Sequence, residues 1–164
     1  MKINWFKLVA SIIVCELAGI IGSFFTIQSI PTWHAALIKP DFSPPNWLFG
    51  PVWTILYLLM GLAVYLIWIK VDLKQFNWKN WKKFIALFFF KIQLILNVLW
   101  SYLFFGLKNP FYGLIEIVLL WIFILATIIS FYRENKTAAY LLIPYLIWVS
   151  FAAFLNYNIW LLNI

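Results

Sequence analysis

The sequence predicts an all-α integral membrane protein, a bundle of five transmembrane helices that takes up nearly all of a single domain, residues 1–164. Three observations predict it. Of the 164 residues 66% are hydrophobic and 10% charged, where a soluble domain is roughly half apolar and about a quarter charged. The mean hydropathy is +0.96, so the chain needs lipid as its solvent. Five apolar runs also reach the length of roughly 20 residues that a helix rising about 1.5 Å per residue needs to cross a core of about 30 Å.

The predicted helices cover residues 8–27, 47–69, 84–105, 111–132 and 138–162. Lys2 and Lys7 before the first run also fit a signal peptide. No small-x-small cleavage site follows cleanly and four more spans come after, so the run reads as a retained helix. The connection 28–46 carries Pro31, Pro40, Pro44 and Pro45, whose fixed φ and missing N–H groups preclude a continuous helix. It reads as a stiff lid. The connection 70–83 holds five lysines with Trp78 and Trp81, a mixture suited to anionic headgroups.

The net charge of +7 is no nucleic-acid footprint, because nine of the twelve basic residues flank apolar runs: Lys2, Lys7, Lys70, Lys74, Lys79, Lys82, Lys83, Arg133 and Lys136. All nine fall on one side of the predicted bundle. By the positive-inside rule the N-terminus is expected in the cytoplasm and the Pro-rich loop and C-terminus outside, most simply in a cytoplasmic membrane. Five helices do not divide into two inverted repeats, which argues against the common secondary-transporter plans. The single cysteine, Cys15, excludes a disulfide framework.

Seven of the eleven tryptophans (Trp5, Trp33, Trp47, Trp68, Trp78, Trp81 and Trp160) belong at interfaces, where an amphipathic ring is at home. Trp53, Trp100, Trp121 and Trp148 fall inside spans, where the indole N–H needs a partner. Helix rise from the basic end places Trp53, Asn97, Trp100, Glu116, Ala152 and Asn156 at about 20 to 27 Å. Polar groups and rings from four helices thus share one level beneath the Pro-rich loop, which predicts a lidded pocket formed by helices two to five.

Three ionisable groups lie within spans: Glu16, Lys91 and Glu116. Each needs a partner or a wet cavity, since burial in lipid costs at least ~2.5 kcal/mol. Glu16 and Lys91 come out at about 10 to 12 Å from the basic end, with Glu116 about 12 Å beyond. A structural ion pair between Glu16 and Lys91 is therefore expected, and none between Lys91 and Glu116. The only histidine, His34, lies in the lid far from any carboxylate pair, so no metal site is expected, and no catalytic triad or phosphate loop is present.

The residues resemble those of the TspO/MBR family, the translocator or tryptophan-rich sensory proteins. The likeness runs through Trp33-His34-Ala35-Ala36-Leu37-Ile38-Lys39-Pro40, Pro44-Pro45-Asn46-Trp47-Leu48-Phe49-Gly50-Pro51-Val52-Trp53-Thr54, Leu56-Tyr57 and Met60-Gly61. It continues through Gln93, Leu96-Asn97, Trp100-Ser101, Phe104-Phe105, Glu116, Pro144-Tyr145-Leu146, Trp148, Phe151-Ala152 and Leu155-Asn156.

The resemblance implies a homodimer of five-helix bundles that binds tetrapyrroles such as protoporphyrin and haem as ligands, with no required cofactor. Carried over residue by residue, it implies a pocket of Phe49, Trp53, Asn97, Trp100, Tyr112, Trp148, Ala152 and Asn156. Trp33, His34 and Lys39 would belong to the lid. Some bacterial members are linked to light-dependent protoporphyrin breakdown, which would make Trp53 and Trp148 the candidate catalytic residues. Two departures stand out. His34 replaces a frequent Tyr, and no Lys or Arg follows Tyr157 within five residues, so the sterol motif proposed for animal members is incomplete.

A receptor, sensor or carrier of flat hydrophobic ligands is thus the leading expectation, ahead of a light-dependent porphyrin-degrading enzyme, for which the sequence shows no acid, base or metal. A small ion-coupled exporter using Glu16, Lys91 and Glu116 is the third.

Overall fold

A computed structural model describes residues 3–71 and 78–164, with the backbone alone at Trp78 and Lys79. The readings made for Lys2 and Lys74, and for the side chains of Trp78 and Lys79, lie outside the described residues. Five helices are long and apolar enough to cross a membrane, so the chain is an all-α integral membrane protein.

Helix α1 spans Trp5–Ser29 and starts where the Asn4 side chain accepts the Lys7 amide, 3.1 Å. A short helix α2, Trp33–Ala36, interrupts the Pro-rich lid. Helix α3, Asn46–Trp68, begins directly after Pro44-Pro45 and carries Pro51 near its start, where few intrahelical bonds are lost.

Helix α4, Trp78–Ser101, begins six residues before the expected start and ends in a π-helical turn, Tyr102–Gly106. That turn is closed by the Leu107 amide on the Tyr102 carbonyl, 2.8 Å. The wider turn buries two consecutive rings, Phe104 and Phe105, which a regular helix would rotate about 100° apart. Lys108 then adopts a positive φ of 53°, and Asn109 caps the next helix by accepting the amides of Phe111 and Tyr112.

Helix α5 spans Pro110–Glu134. The fifth span, expected as one helix, is two: α6, Lys136–Tyr140, and α7, Ile143–Leu162. Pro144 has no N–H to give the Tyr140 carbonyl, which explains the break.

Helix α1 packs between α3 and α4, α5 packs against α4, α6 and α7, and α3 reaches α6 to close the ring. Met60, Ala63, Phe90, Ile117, Leu120, Ile124, Phe131 and Tyr145 fill the centre. Val9, Ile13, Leu17, Ile21 and Phe24 of α1 and Ile115, Val118 and Ile122 of α5 are exposed, the outward apolar surface that lipid covers.

The lid crosses one end of the ring. Asn163, just past α7, receives the Ile38 amide (3.0 Å) and returns a bond to the Ile38 carbonyl (2.9 Å). Phe42 stacks on Phe154 with ring centroids 5.3 Å apart. Beneath, Phe104, Phe105, Leu155 and Ile159 form a second core against Trp33, Leu37 and Ile30.

Candidate functional site

Under the lid, α1, α3 and α4 enclose a cavity of about 540 Å³. Its walls include the rings of Phe49 and Trp53 from α3, Trp100 from α4 and Phe105 from the π turn. Tyr57 and Asn97 form its polar inner end, while His34 of the lid and Glu16 of α1 also line it.

The rings are held in place by packing. Trp53 lies 5.6 Å from Tyr57 and 6.2 Å from Tyr145 between centroids, and Trp100 stacks on Phe104 at 5.2 Å. The polar end is tied across three helices. The Tyr57 hydroxyl donates to Asn97 Oδ1, and Asn97 Nδ2 donates to the Tyr145 hydroxyl at 2.9 Å. Trp100 donates its indole N–H to Asn156 Oδ1 (3.2 Å), while Asn156 Nδ2 donates to the Pro110 carbonyl (2.8 Å). Buried donors in an apolar interior are thereby satisfied, which fixes the ring orientations.

Four residues expected in the pocket therefore line this cavity: Phe49, Trp53, Asn97 and Trp100. The other four do not. Asn156 supports Trp100 from behind, Ala152 is buried in the core, and Tyr112 is 50% exposed at the start of α5. Trp148 touches the wall through Phe49, 6.0 Å between centroids, and its indole N–H has no bond among the described residues. The expectation of helices two to five thus gives way to α1, α3 and α4. Depth along a helix sets a residue's level but not the side it faces, and Trp148 and Asn156 of α7 stand behind the wall rings Phe49 and Trp100.

Of the lid residues, His34 lines the cavity, whereas Trp33 packs edge-on against Phe104 (5.5 Å) and Lys39 stands outside the lining. His34 is buried, and its Nδ1 has no hydrogen bond among the described residues. Burial, with a smaller contribution from the charge of Lys39, pushes its pKa down to about 4. The ring is neutral at neutral pH.

Glu16 and Lys91 are not brought together. Glu16 lines the lid-side cavity and Lys91 a second cavity at the other end, and no ion pair joins them among the described residues. Glu116 is in a third place, 4% exposed in the core, with neither carboxyl oxygen bonded among the described residues.

The contribution of α1 escaped the sequence reading. Gly19 and Gly22 line the cavity, and a Cβ on Gly19 would stand 2.4 Å from the Tyr57 ring, so glycine is what admits that ring. The small residues Gly19, Gly22, Ser23 and Thr26 at helical spacing were the available signal.

Comparison with known proteins agrees with the residue pattern. The family model described as the TspO/MBR family matches residues 11–161. The tryptophan-rich protein TspO of Archaeoglobus fulgidus is 49% identical, over 98% of this chain and 99% of its own length. The translocator protein of Homo sapiens is 34% identical over 95% and 89% of the two chains, and the tryptophan-rich sensory protein of Cereibacter sphaeroides 31% identical over 99% and 95%. With a likeness that spans nearly the whole sequence, the chain belongs to the TspO/MBR family.

Proposed function

We propose that this protein is a membrane receptor, sensor or carrier that takes a flat hydrophobic ligand, a tetrapyrrole such as protoporphyrin or haem, in the cavity beneath the lid. The observation that carries the reading is the pairing of aromatic walls, Phe49, Trp53 and Trp100, with a fixed polar end at Tyr57 and Asn97. Aromatic faces suit a planar apolar ring, and a few placed polar groups set its orientation. The Lys39 ammonium stands at the lid, so the propionates of a tetrapyrrole are best accommodated toward that end. Assembly as a homodimer belongs to the same reading.

The test is a titration of purified protein with protoporphyrin, followed by tryptophan quenching in the dark and then under illumination. Saturable quenching that weakens in Trp53→Ala supports the reading, and its absence overturns it. Pigment lost in light by wild type, but not by Trp53→Phe or Trp148→Phe, would turn the receptor into an enzyme. The exporter reading has less support, because Glu16, Lys91 and Glu116 lie in three separate places.

A further inference from the structure

At the end of the bundle away from the lid, the same three helices α1, α3 and α4 enclose a second cavity of about 420 Å³. Its lining includes Ala10, Val14, Val64, Phe84, Leu87 and Leu94, and Lys91 is its one charged lining residue. Three other ammonium groups of that end are engaged. Lys7, Lys70 and Lys83 donate to the backbone carbonyls of Trp68 (3.1 Å), Glu134 (2.9 Å) and Lys70 (2.7 Å). Lys91 has no ion pair or hydrogen bond among the described residues.

The orientation of α4 decides what Lys91 reaches. A helical side chain leans toward its helix's N-terminus, and for α4 that end is the bundle face bearing Lys82 and Lys83. Lys91 Cα lies about 12 Å along the axis from Lys83, and a lysine that snorkels toward the interface carries its ammonium toward the headgroup region. An apolar groove of aliphatic side chains and the rings of Trp68, Phe84, Phe88 and Phe90 thus runs beside a cation directed at the headgroup layer of the same leaflet.

We propose that this second cavity is a binding site for one anionic phospholipid of that leaflet, with an acyl chain between α1, α3 and α4 and the phosphate against Lys91. The proposal is independent of the lid-side ligand. Charge selects the occupant: a zwitterionic lipid offers the same chain but no net charge to Lys91.

Native mass spectrometry of the full chain in detergent, titrated with phosphatidylglycerol or with phosphatidylcholine of the same acyl chains, tests it. Wild type should retain one phosphatidylglycerol in preference by about fivefold, the scale of one basic residue's attraction to an anionic headgroup. Lys91→Leu should lose the preference and Lys91→Arg should keep it. Val14→Trp, a change at a lipid-exposed lining position, should fill the groove and reduce retention of both lipids. Thermal unfolding of each variant separates lost binding from lost fold. An unchanged preference in folded Lys91→Leu overturns the site, as does full retention in folded Val14→Trp. Equal protection of wild type by inorganic phosphate alone would also overturn it, since the chain would then have no role.

Discussion

Both cavities mix rings with aliphatic side chains, but the lid-side cavity is closed at its inner end by the hydrogen-bonded Tyr57 and Asn97, whereas the cavity at the opposite end carries one cation, Lys91, that has no partner among the described residues. Both are bounded by α1, α3 and α4. Between Tyr57 and Val64 along α3 lies Gly61, where the two helices meet so closely that an added Cβ would stand 2.8 Å from the Ile12 Cα. Close backbone approach at small residues is how membrane helices gain contact without a hydrophobic driving force. The lesson is that one tight crossing leaves two openings of different polarity, one ending in a neutral hydrogen-bonded pair and one holding a lysine.

Breaking the crossing should have the largest effect. Gly61→Leu places a side chain against α1 backbone, which cannot yield as a side-chain tip does, and overpacking of this kind costs about 3 kcal/mol. The melting temperature in detergent should fall, and both cavities should lose their ligands together. A variant with unchanged melting and one cavity intact would show that the crossing does not organise the pair.

Trp53→Ala separates the two ends. Loss of a ring from the lid-side wall should weaken protoporphyrin about tenfold, or ~1.4 kcal/mol, and leave phospholipid retention unchanged. Lys91→Leu should do the reverse. Equal sensitivity of both ligands to Trp53→Ala would mean that the cavities are not independent.

How much of this was legible in the sequence follows from what each feature depends on. Span count depends on the lengths of apolar runs, and all five were readable. Trp53, Asn97 and Trp100, which line the lid-side cavity, were pointed to by both motif and depth, and Phe49 by the motif alone. Depth failed to show that Ala152 and Asn156 stand off that lining, because level along a helix leaves its rotation undetermined. It failed also for Glu16 and Lys91, which share a level but serve different cavities. The π turn was hidden for another reason: nothing in Tyr102–Gly106 by composition departs from an ordinary helix end.

His34 distinguishes the ends by pH. Its pKa is lowered on folding, so the unfolded chain binds the proton first, below its ordinary value of about 6.5. Stability contributed by the neutral ring is complete above that pH and is lost as pH falls toward 4. Melting temperature should therefore drop over this window in wild type, and the drop should be smaller in His34→Tyr. Phospholipid retention at the other end should not follow the histidine. An identical pH profile in His34→Tyr would remove the lid histidine as the titrating group.

The smallest effect tests the polar end of the lid-side cavity. Tyr57→Phe keeps the ring that Gly19 admits and Trp53 packs against, and removes only the hydroxyl that donates to Asn97. Asn97 still holds Tyr145, so the helices remain bridged. Interhelical hydrogen bonds in membranes are worth on average about 0.6 kcal/mol, and the loss in unfolding free energy should be of that size. If the hydroxyl serves only packing, protoporphyrin affinity should fall no further than stability does. If Tyr57 and Asn97 orient the ligand, the affinity loss should exceed it, because an Asn97 oxygen left without its donor then faces the bound ring. Equal small losses would leave the aromatic walls as the sole basis of recognition, and the contrast between the two ends would reduce to the presence of Lys91.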